Sequence, residues 1–249
     1  MIHYHGVPIS GSRVDNARFL TGRHAFISYA RPDEIETAAS FCQSFALDNG
    51  AYSAWSRGET LDVDGFISWA SNWLQHPACD FAIIPDVITG SEAENDHMVS
   101  CWPDDLRGVP VWHMAESIER LHRLCSHWPR VAMATADFGS REGTAGRWRR
   151  MREAMDAICD AEGRPPTRLH GLKMMDPRIF AHLPLSSADS TNAARNANMD
   201  AGWGYLRPPT AAQRAAVIAD RIEAQSAAGR WTQQGTTIEL GPLFNENSN

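Results

Sequence analysis

The stretch Phe45-Ala46-Leu47-Asp48-Asn49-Gly50-Ala51-Tyr52-Ser53 passes from an apolar run into an aspartate and then into small and turn-forming residues. Near the other end of the chain, Leu185-Ser186-Ser187-Ala188-Asp189-Ser190-Thr191-Asn192-Ala193-Ala194-Arg195-Asn196 does the same. In each, an aspartate stands where a predicted strand ends, and in a parallel α/β barrel that end of the strands is the face on which catalytic groups collect. Either aspartate alone also fits a turn or a helix N-cap, because Asp-Asn-Gly and Asp-Ser-Thr favour turns and helix starts. The two loops together point to a site built on two carboxylates, Asp48 and Asp189.

Outward from these loops, short apolar runs alternate with amphipathic stretches. The runs predict strands at 25–30, 41–47, 79–85, 109–114, 130–135, 168–173 and 183–187, and helical spacing marks 63–74, 92–105, 117–127, 145–161 and 177–182. Strand followed by helix, repeated, argues for a parallel sheet with right-handed crossovers. An open doubly wound sheet would carry a glycine-rich phosphate loop after its first strand, whereas Arg31-Pro32-Asp33-Glu34 follows Ala30 here. The expected fold is therefore a single (β/α)8-type TIM barrel over residues 1–249. Helix 211–228 would close its outer ring, Gly202-Trp203-Gly204-Tyr205-Leu206 is the candidate for the eighth strand, and the polar tail 231–249 is expected to be partly mobile.

Composition agrees with one folded domain: 43% of residues are hydrophobic and 21% charged, enough apolar material for a core. The five cysteines form no CxxC pair and three of them lie in or beside apolar runs, which reads as reduced thiols in a cytoplasmic protein. No signal segment is recognisable, and no apolar run approaches the roughly 18 residues a membrane span needs. A net charge of −7 does not favour nucleic-acid binding, which is carried largely by Lys and Arg. Two basic groups stand out against it. Arg147, Arg149, Arg150 and Arg152 share a predicted helix and fit either a solvated face or a phosphate contact, while Lys173, Arg178, Arg195 and Arg207 lie near the second acidic loop.

Further polar groups converge on the predicted carboxyl ends of the strands: Asn49 and Gly50, Asp86, Trp112 and His113, Thr135 to Asp137, Gly171 and Lys173. Asp86, in Ile83-Ile84-Pro85-Asp86-Val87-Ile88, is flanked by residues that would desolvate it, so it needs a donor, and the amine and ring N–H of a purine edge supply one. His113 and His170 fit either the orienting of a carboxylate or a satisfied place in the core. His3 and His5 have the spacing of a metal pair but no further ligands nearby.

Several of these segments resemble the tRNA-guanine transglycosylase superfamily, most closely the short phage and bacterial DNA-guanine transglycosylases that place 7-deazaguanines in DNA. Leu47-Asp48-Asn49-Gly50-Ala51-Tyr52 is similar to the family's aspartate followed by a small-residue turn and an aromatic. Asp189-Ser190-Thr191-Asn192-Ala193-Ala194-Arg195-Asn196 resembles the segment that carries the family nucleophile. His170-Gly171-Leu172-Lys173-Met174-Met175-Asp176-Pro177 is similar to its Gly-containing strand and Pro-containing helix start, and Asp86 falls where the family keeps a base-recognising carboxylate. The likeness covers roughly residues 24 to 207. It departs at 109–114, where Trp112-His113 replaces a Gln-Gly-Gly strand, and beyond Cys159, where no cysteine remains to build the tRNA enzymes' zinc subdomain.

The resemblance implies a barrel lacking that zinc subdomain, with no metal and no cofactor, that exchanges guanine in DNA for a base such as 7-cyano-7-deazaguanine. Asp189 would be the nucleophile and Asp48 the acid and base, as two carboxylates act in retaining glycosidases. Asp86, Asn49, Gly50, Tyr52, Trp112, His113, Thr135, Gly171, Lys173, Asn192 and Arg195 would bind substrate. Tyr52, Trp112 and Met174 are the candidates to stack an extruded base, and Lys173, Arg195 and Arg207 the candidates for flanking phosphates. The rival expectations are base exchange on tRNA or a nucleoside, and a barrel that binds nucleic acid without catalysis.

Overall fold

In chain order the strands are β1 (Ile2–Gly6), β2 (His24–Ser28), β3 (Ser44–Asp48), β4 (Cys79–Ile83), β5 (Gly108–Val109), β6 (Val111–His113), β7 (Arg130–Ala134), β8 (Arg168–Gly171) and β9 (Ser187–Ser190). The computed structural model describes residues 1–9, 11–134, 143–199, 203 and 207–232. All pairings are parallel, in the order β5-β4-β3-β2-β1-β9-β8-β7-β6. β5 and β6 are two halves of one stave interrupted at Pro110, whose nitrogen has no hydrogen to donate. Ile84 N–H donates to Val109 O (3.0 Å) on one side, and Ala132 N–H donates to Pro110 O (2.9 Å) on the other. The ring therefore closes, and the nine strands, with β5 and β6 taken as one, give the eight staves of a TIM barrel.

The helices are α1 (Arg13–Leu20), α2 (Ile35–Phe41), α3 (Ala51–Arg57), α4 (Val63–Trp73), α5 (Glu92–Ser100), α6 (Ile118–His127), α7 (Gly143–Ile158), α8 (Pro177–Phe180), α9 (Asn192–Asn196) and α10 (Ala211–Glu223). Local chemistry fixes several starts. Ser12, Ser91 and Thr210 each close a capping box, and Asp62 accepts the Gly65 N–H. α10 is tied back to the barrel by Glu223, which meets His5 Nε2 at 2.8 Å and Arg23 Nε at 3.1 Å.

Strand periodicity sends alternate residues to opposite faces. Tyr4, Phe26, Ala46, Phe81, Ile83, Val109, Val111, Ala132 and Ala134 fill the barrel interior, while a second apolar layer packs between the strands and the helices. Towards the amino ends of the strands the interior is polar. The Tyr4 hydroxyl donates to Asp80, Ser44 Oγ donates to the same carboxylate at 3.0 Å, and the Arg130 guanidinium stacks 4.3 Å above the Phe81 ring. Burial and the Asp80 carboxylate together hold the Tyr4 phenol protonated, and burial lowers the pKa of Arg130.

Four sequence expectations change. The eighth stave is β1 at the start of the chain; of Gly202-Trp203-Gly204-Tyr205-Leu206 only Trp203 is among the described residues, and it is not in a strand. The predicted strand 41–47 begins at Ser44, because Phe41 ends α2. The predicted strand 183–187 moves to Ser187–Ser190, since Leu183 and Leu185 are buried in the outer core before the strand begins. Asp189 consequently lies within its strand and not after it. The tail beyond Thr232 lies outside the described residues, as do Thr135, Ala136 and Asp137.

Replacing Asp80 would leave the fully buried Tyr4 hydroxyl without its carboxylate acceptor. We expect Asp80→Ala to lower unfolding stability by about 1–3 kcal/mol in urea titrations, the range seen when a buried donor loses its acceptor. An unchanged denaturation midpoint would show that the polar end of the barrel contributes nothing to stability.

Candidate active site

β3 reaches α3 across only Asn49 and Gly50. Gly50 makes this possible, with φ +79° in the left-handed region and with backbone of Ala30 only 3.2 Å from where a Cβ would stand. Asn49 locks the turn from inside: its Oδ1 accepts the Ala51 N–H (2.7 Å), and its Nδ2 donates to Ile84 O (2.9 Å) and to Asp86 Oδ1 (2.8 Å). A single buried amide thereby joins the end of β3 to the loop after β4. The other Asp86 oxygen, Oδ2, lies 2.8 Å from His113 Nε2 on β6. Behind this pair stands a buried brace in which Asn95 binds Val87 N–H and Glu116, and Glu116 in turn accepts from His113 N–H and from Arg120.

Asp189 is buried in β9 and its Oδ1 accepts the Lys173 N–H at 3.0 Å. Lys173 adopts φ 57°, the left-handed region that costs an ordinary residue roughly 1–2 kcal/mol. That turn delivers both its N–H to Asp189 and its ammonium to the Tyr52 ring, 2.9 Å from the centroid. Beneath Asp189, His170 binds Ser187 Oγ through Nδ1 (2.9 Å) and brings Nε2 to 3.4 Å from Asp189 Oδ1. Burial lowers the pKa of His170, and the Asp189 carboxylate opposes that shift.

These elements surround one cavity of about 500 Å³ at the carboxyl ends of the strands. Asp48, Asn49, Tyr52, Asp86, His113, Lys173, Asp189 and Arg195 all line it. Burial pushes the Asp48 carboxyl up to about 6; the Ser28 hydroxyl opposes this, and the charges of Asp189 and Asp86 add to it. Desolvation lowers the Lys173 ammonium, while Asp189 and Asp48 pull it back up. The cavity thus holds three carboxylates with Lys173 among them and Arg195 exposed at the lip. A carboxyl group pushed up towards neutrality, as Asp48 is, is suited to acid–base work beside a nucleophile. Among the described residues no group of three or more His, Cys, Asp and Glu is arranged to hold a metal ion.

Five expected site residues stand elsewhere. Trp112 alternates with Val111 and His113 on β6 and so faces the outer core, where its Nε1 donates to Ser117 O. Gly50 and Gly171 shape the backbone behind the lining; a Cβ on Gly171 would meet Met174 at 2.8 Å. Asn192 pairs with the Asn196 side chain on α9, and Met174 is buried in the outer core. His5 is taken by Glu223, so His3 and His5 form no metal pair. Arg150, from the basic helix, donates to Met114 O at 2.8 Å and pairs with Glu153, and Arg178 pairs with Asp176. Residues the sequence did not single out also line the cavity, among them Ser28, Phe26, Leu172 and Thr191. Gly6 admits Thr191, whose Cγ2 would lie 2.7 Å from a Cβ there.

A scan against protein-family models finds no match, and a search of curated proteins finds none. Among solved structures, the chain is similar to a protein assigned as a fructose-1,6-biphosphate aldolase from Coccidioides immitis. The match has a TM-score of 0.53 and 13% sequence identity, and it covers 90% of this chain and 88% of the other. At that identity the likeness is one of fold.

The raised pKa of Asp48 makes a signed prediction. An acid whose folded pKa of about 6 exceeds its ordinary 3.8 costs the folded state nothing below about pH 4, progressively more as pH rises from there to 6, and a constant amount above it. Asp48→Asn should therefore be more stable than the parent at pH 8, by at most roughly 3 kcal/mol, with the difference vanishing near pH 4. Thermal melts of both proteins from pH 4 to 8 check it, and parallel curves would contradict it.

Proposed function

We propose that this protein is a DNA-guanine transglycosylase that exchanges guanine in DNA for a 7-deazaguanine base. The observation that carries the reading is the meeting, in one cavity, of a buried Asp189 and an Asp48 poised near pH 6. An Asp189 oxygen attacks the sugar C1′ as the bond from C1′ to guanine N9 breaks, and protonated Asp48 supplies the proton that the departing guanine takes up. The incoming 7-deazaguanine then gives its ring N–H proton to the Asp48 carboxylate and attacks C1′, releasing Asp189. One glycosidic bond replaces another, so the exchange consumes no ATP.

The remaining groups have supporting roles in this reading. Asp86 already accepts from Asn49 and contacts His113, yet a carboxylate has about four lone-pair positions, which leaves room for a purine N–H or amine. Tyr52 lines the cavity with the Lys173 ammonium over its ring, and Lys173 offsets the negative charge that accumulates when Asp48 is ionised. Arg195 at the lip is placed to meet a phosphate of the strand.

A guanine-containing oligonucleotide incubated with enzyme should give a slow-migrating covalent adduct on a denaturing gel, and Asp189→Asn should abolish both adduct and exchange. Asp48→Asn should slow exchange by about 10²–10⁴-fold, the usual worth of a general acid–base group. Nucleoside digests analysed by mass spectrometry identify the acceptor. Incorporation only into tRNA or a free nucleoside would redirect the reading, and full turnover by Asp189→Asn would end it. Asp86→Ala should relax selectivity for guanine-like bases more than Asp86→Asn does, because a site built around a polar contact discriminates through it. Equal selectivity in all three proteins would remove Asp86 from base recognition.

A further inference from the structure

We propose that α3 carries a second base-binding subsite beside the cavity: Trp55, with the outer part of Tyr52, is a stacking platform for an unpaired nucleobase adjacent to the extruded one. The proposal rests on the nucleic-acid substrate argued above, and it adds that the strand engaged is single-stranded or locally opened.

Trp55 and Tyr52 are 47% and 42% exposed, among the few large apolar side chains of the described surface left so open. Burying an indole is strongly favourable, and nothing described in the chain covers this one. The two rings contact each other, with centroids 5.6 Å apart and planes tilted by 44°. Their position is informative as well. α3 starts three residues after Asp48, and Tyr52, Ser53 and Ser56 from it line the cavity, so Trp55 stands at the rim. A flat aromatic at that place offers a face to any base, whatever its sequence.

Charge complementarity selects the occupant. The inner side of Tyr52 is taken by the Lys173 ammonium, so a cation sits between the cavity and the platform, where the phosphate joining two neighbouring nucleotides would pass. Arg195 lines the same opening and has no partner among the described residues. The chain as a whole carries −7, so backbone attraction alone gives it little affinity, and stacking has to contribute more. In an intact duplex the neighbouring base is paired and stacked, and its face is closed to Trp55.

The test measures binding apart from chemistry, by fluorescence anisotropy with a labelled single-stranded oligonucleotide bearing one central guanine. Trp55→Ala should weaken Kd about ten-fold or more, within the range that removal of a base-stacking aromatic gives, and Trp55→Phe should recover most of the loss. Replacing the neighbouring nucleotide by an abasic one should weaken the parent protein by a similar factor and Trp55→Ala hardly further. Equal Kd for parent and Trp55→Ala, or the same abasic penalty in both, overturns the subsite. So does tighter binding of intact duplex than of single strand, or a Trp55-dependent self-association in sedimentation. The abasic series on the parent protein decides the matter even if the variant fails to fold. Trp55-dependent binding without base exchange would sink the transglycosylase reading and leave the platform standing; exchange that ignores Trp55 would do the reverse.

Discussion

β1 closes the ring by pairing with β2 on one side and β9 on the other, and the positions of all the polar groups at the cavity follow from that closure. Through it, residue 48 and residue 189, far apart in the chain, come to one end of one barrel. The register places Tyr4 opposite Asp189, so the strand that fills the centre of the barrel with a phenol ring also sets the height of the buried carboxylate. At its end Gly6 leaves room for Thr191, and a side chain there would push the start of α9 away from the cavity.

Closure also creates an electrostatic problem. Asp48, Asp86 and Asp189 share a confined space, and the charges of Asp86 and Asp189 make Asp48 harder to ionise. The three are handled differently. Asp86 is engaged on both oxygens, by Asn49 and by His113, and that pair is braced through Glu116 and Arg120. Asp189 takes a backbone N–H from Lys173. Asp48 is opposed by the Ser28 hydroxyl, and burial first, then the charges of Asp189 and Asp86, push its carboxyl up to about 6.

Much of this arrangement was legible in the amino-acid sequence because apolar strands that end in Asp-Asn-Gly announce both a strand end and a turn. Asp48, Asn49 and Asp86 follow such runs, and they fall where period-two burial puts them. The failures have equally physical causes. β1 reads Ile2-His3-Tyr4-His5-Gly6, and of its outward histidines His3 packs edge-on against Phe180 and His5 meets Glu223, partners that no local pattern reveals. β9, Ser187-Ala188-Asp189-Ser190, is polar except for Ala188, because its inward residues bind His170 and Lys173; the apolar residues nearby are Leu183 and Leu185, which are core residues of the preceding loop. Trp112 and His113 are neighbours in sequence, and only the strand's alternation sends one to the outer core and the other to the cavity.

Lys173 shows how the local strain and the charge cluster are one feature. Glycine would adopt its left-handed backbone without cost, yet glycine has no ammonium to set among Asp48, Asp86 and Asp189. A lysine with ordinary extended backbone would keep the ammonium but turn its N–H away from Asp189. Holding both groups on one residue requires the strained conformation, and the bond to Asp189 on one side and the Tyr52 ring on the other keep it there. Strain of this kind persists where the surroundings over-determine it, which is at functional sites more often than in the framework. The same bend fixes the ammonium between the cavity and the exposed face of α3, so the geometry that serves the buried carboxylates also sets the positive charge at the rim.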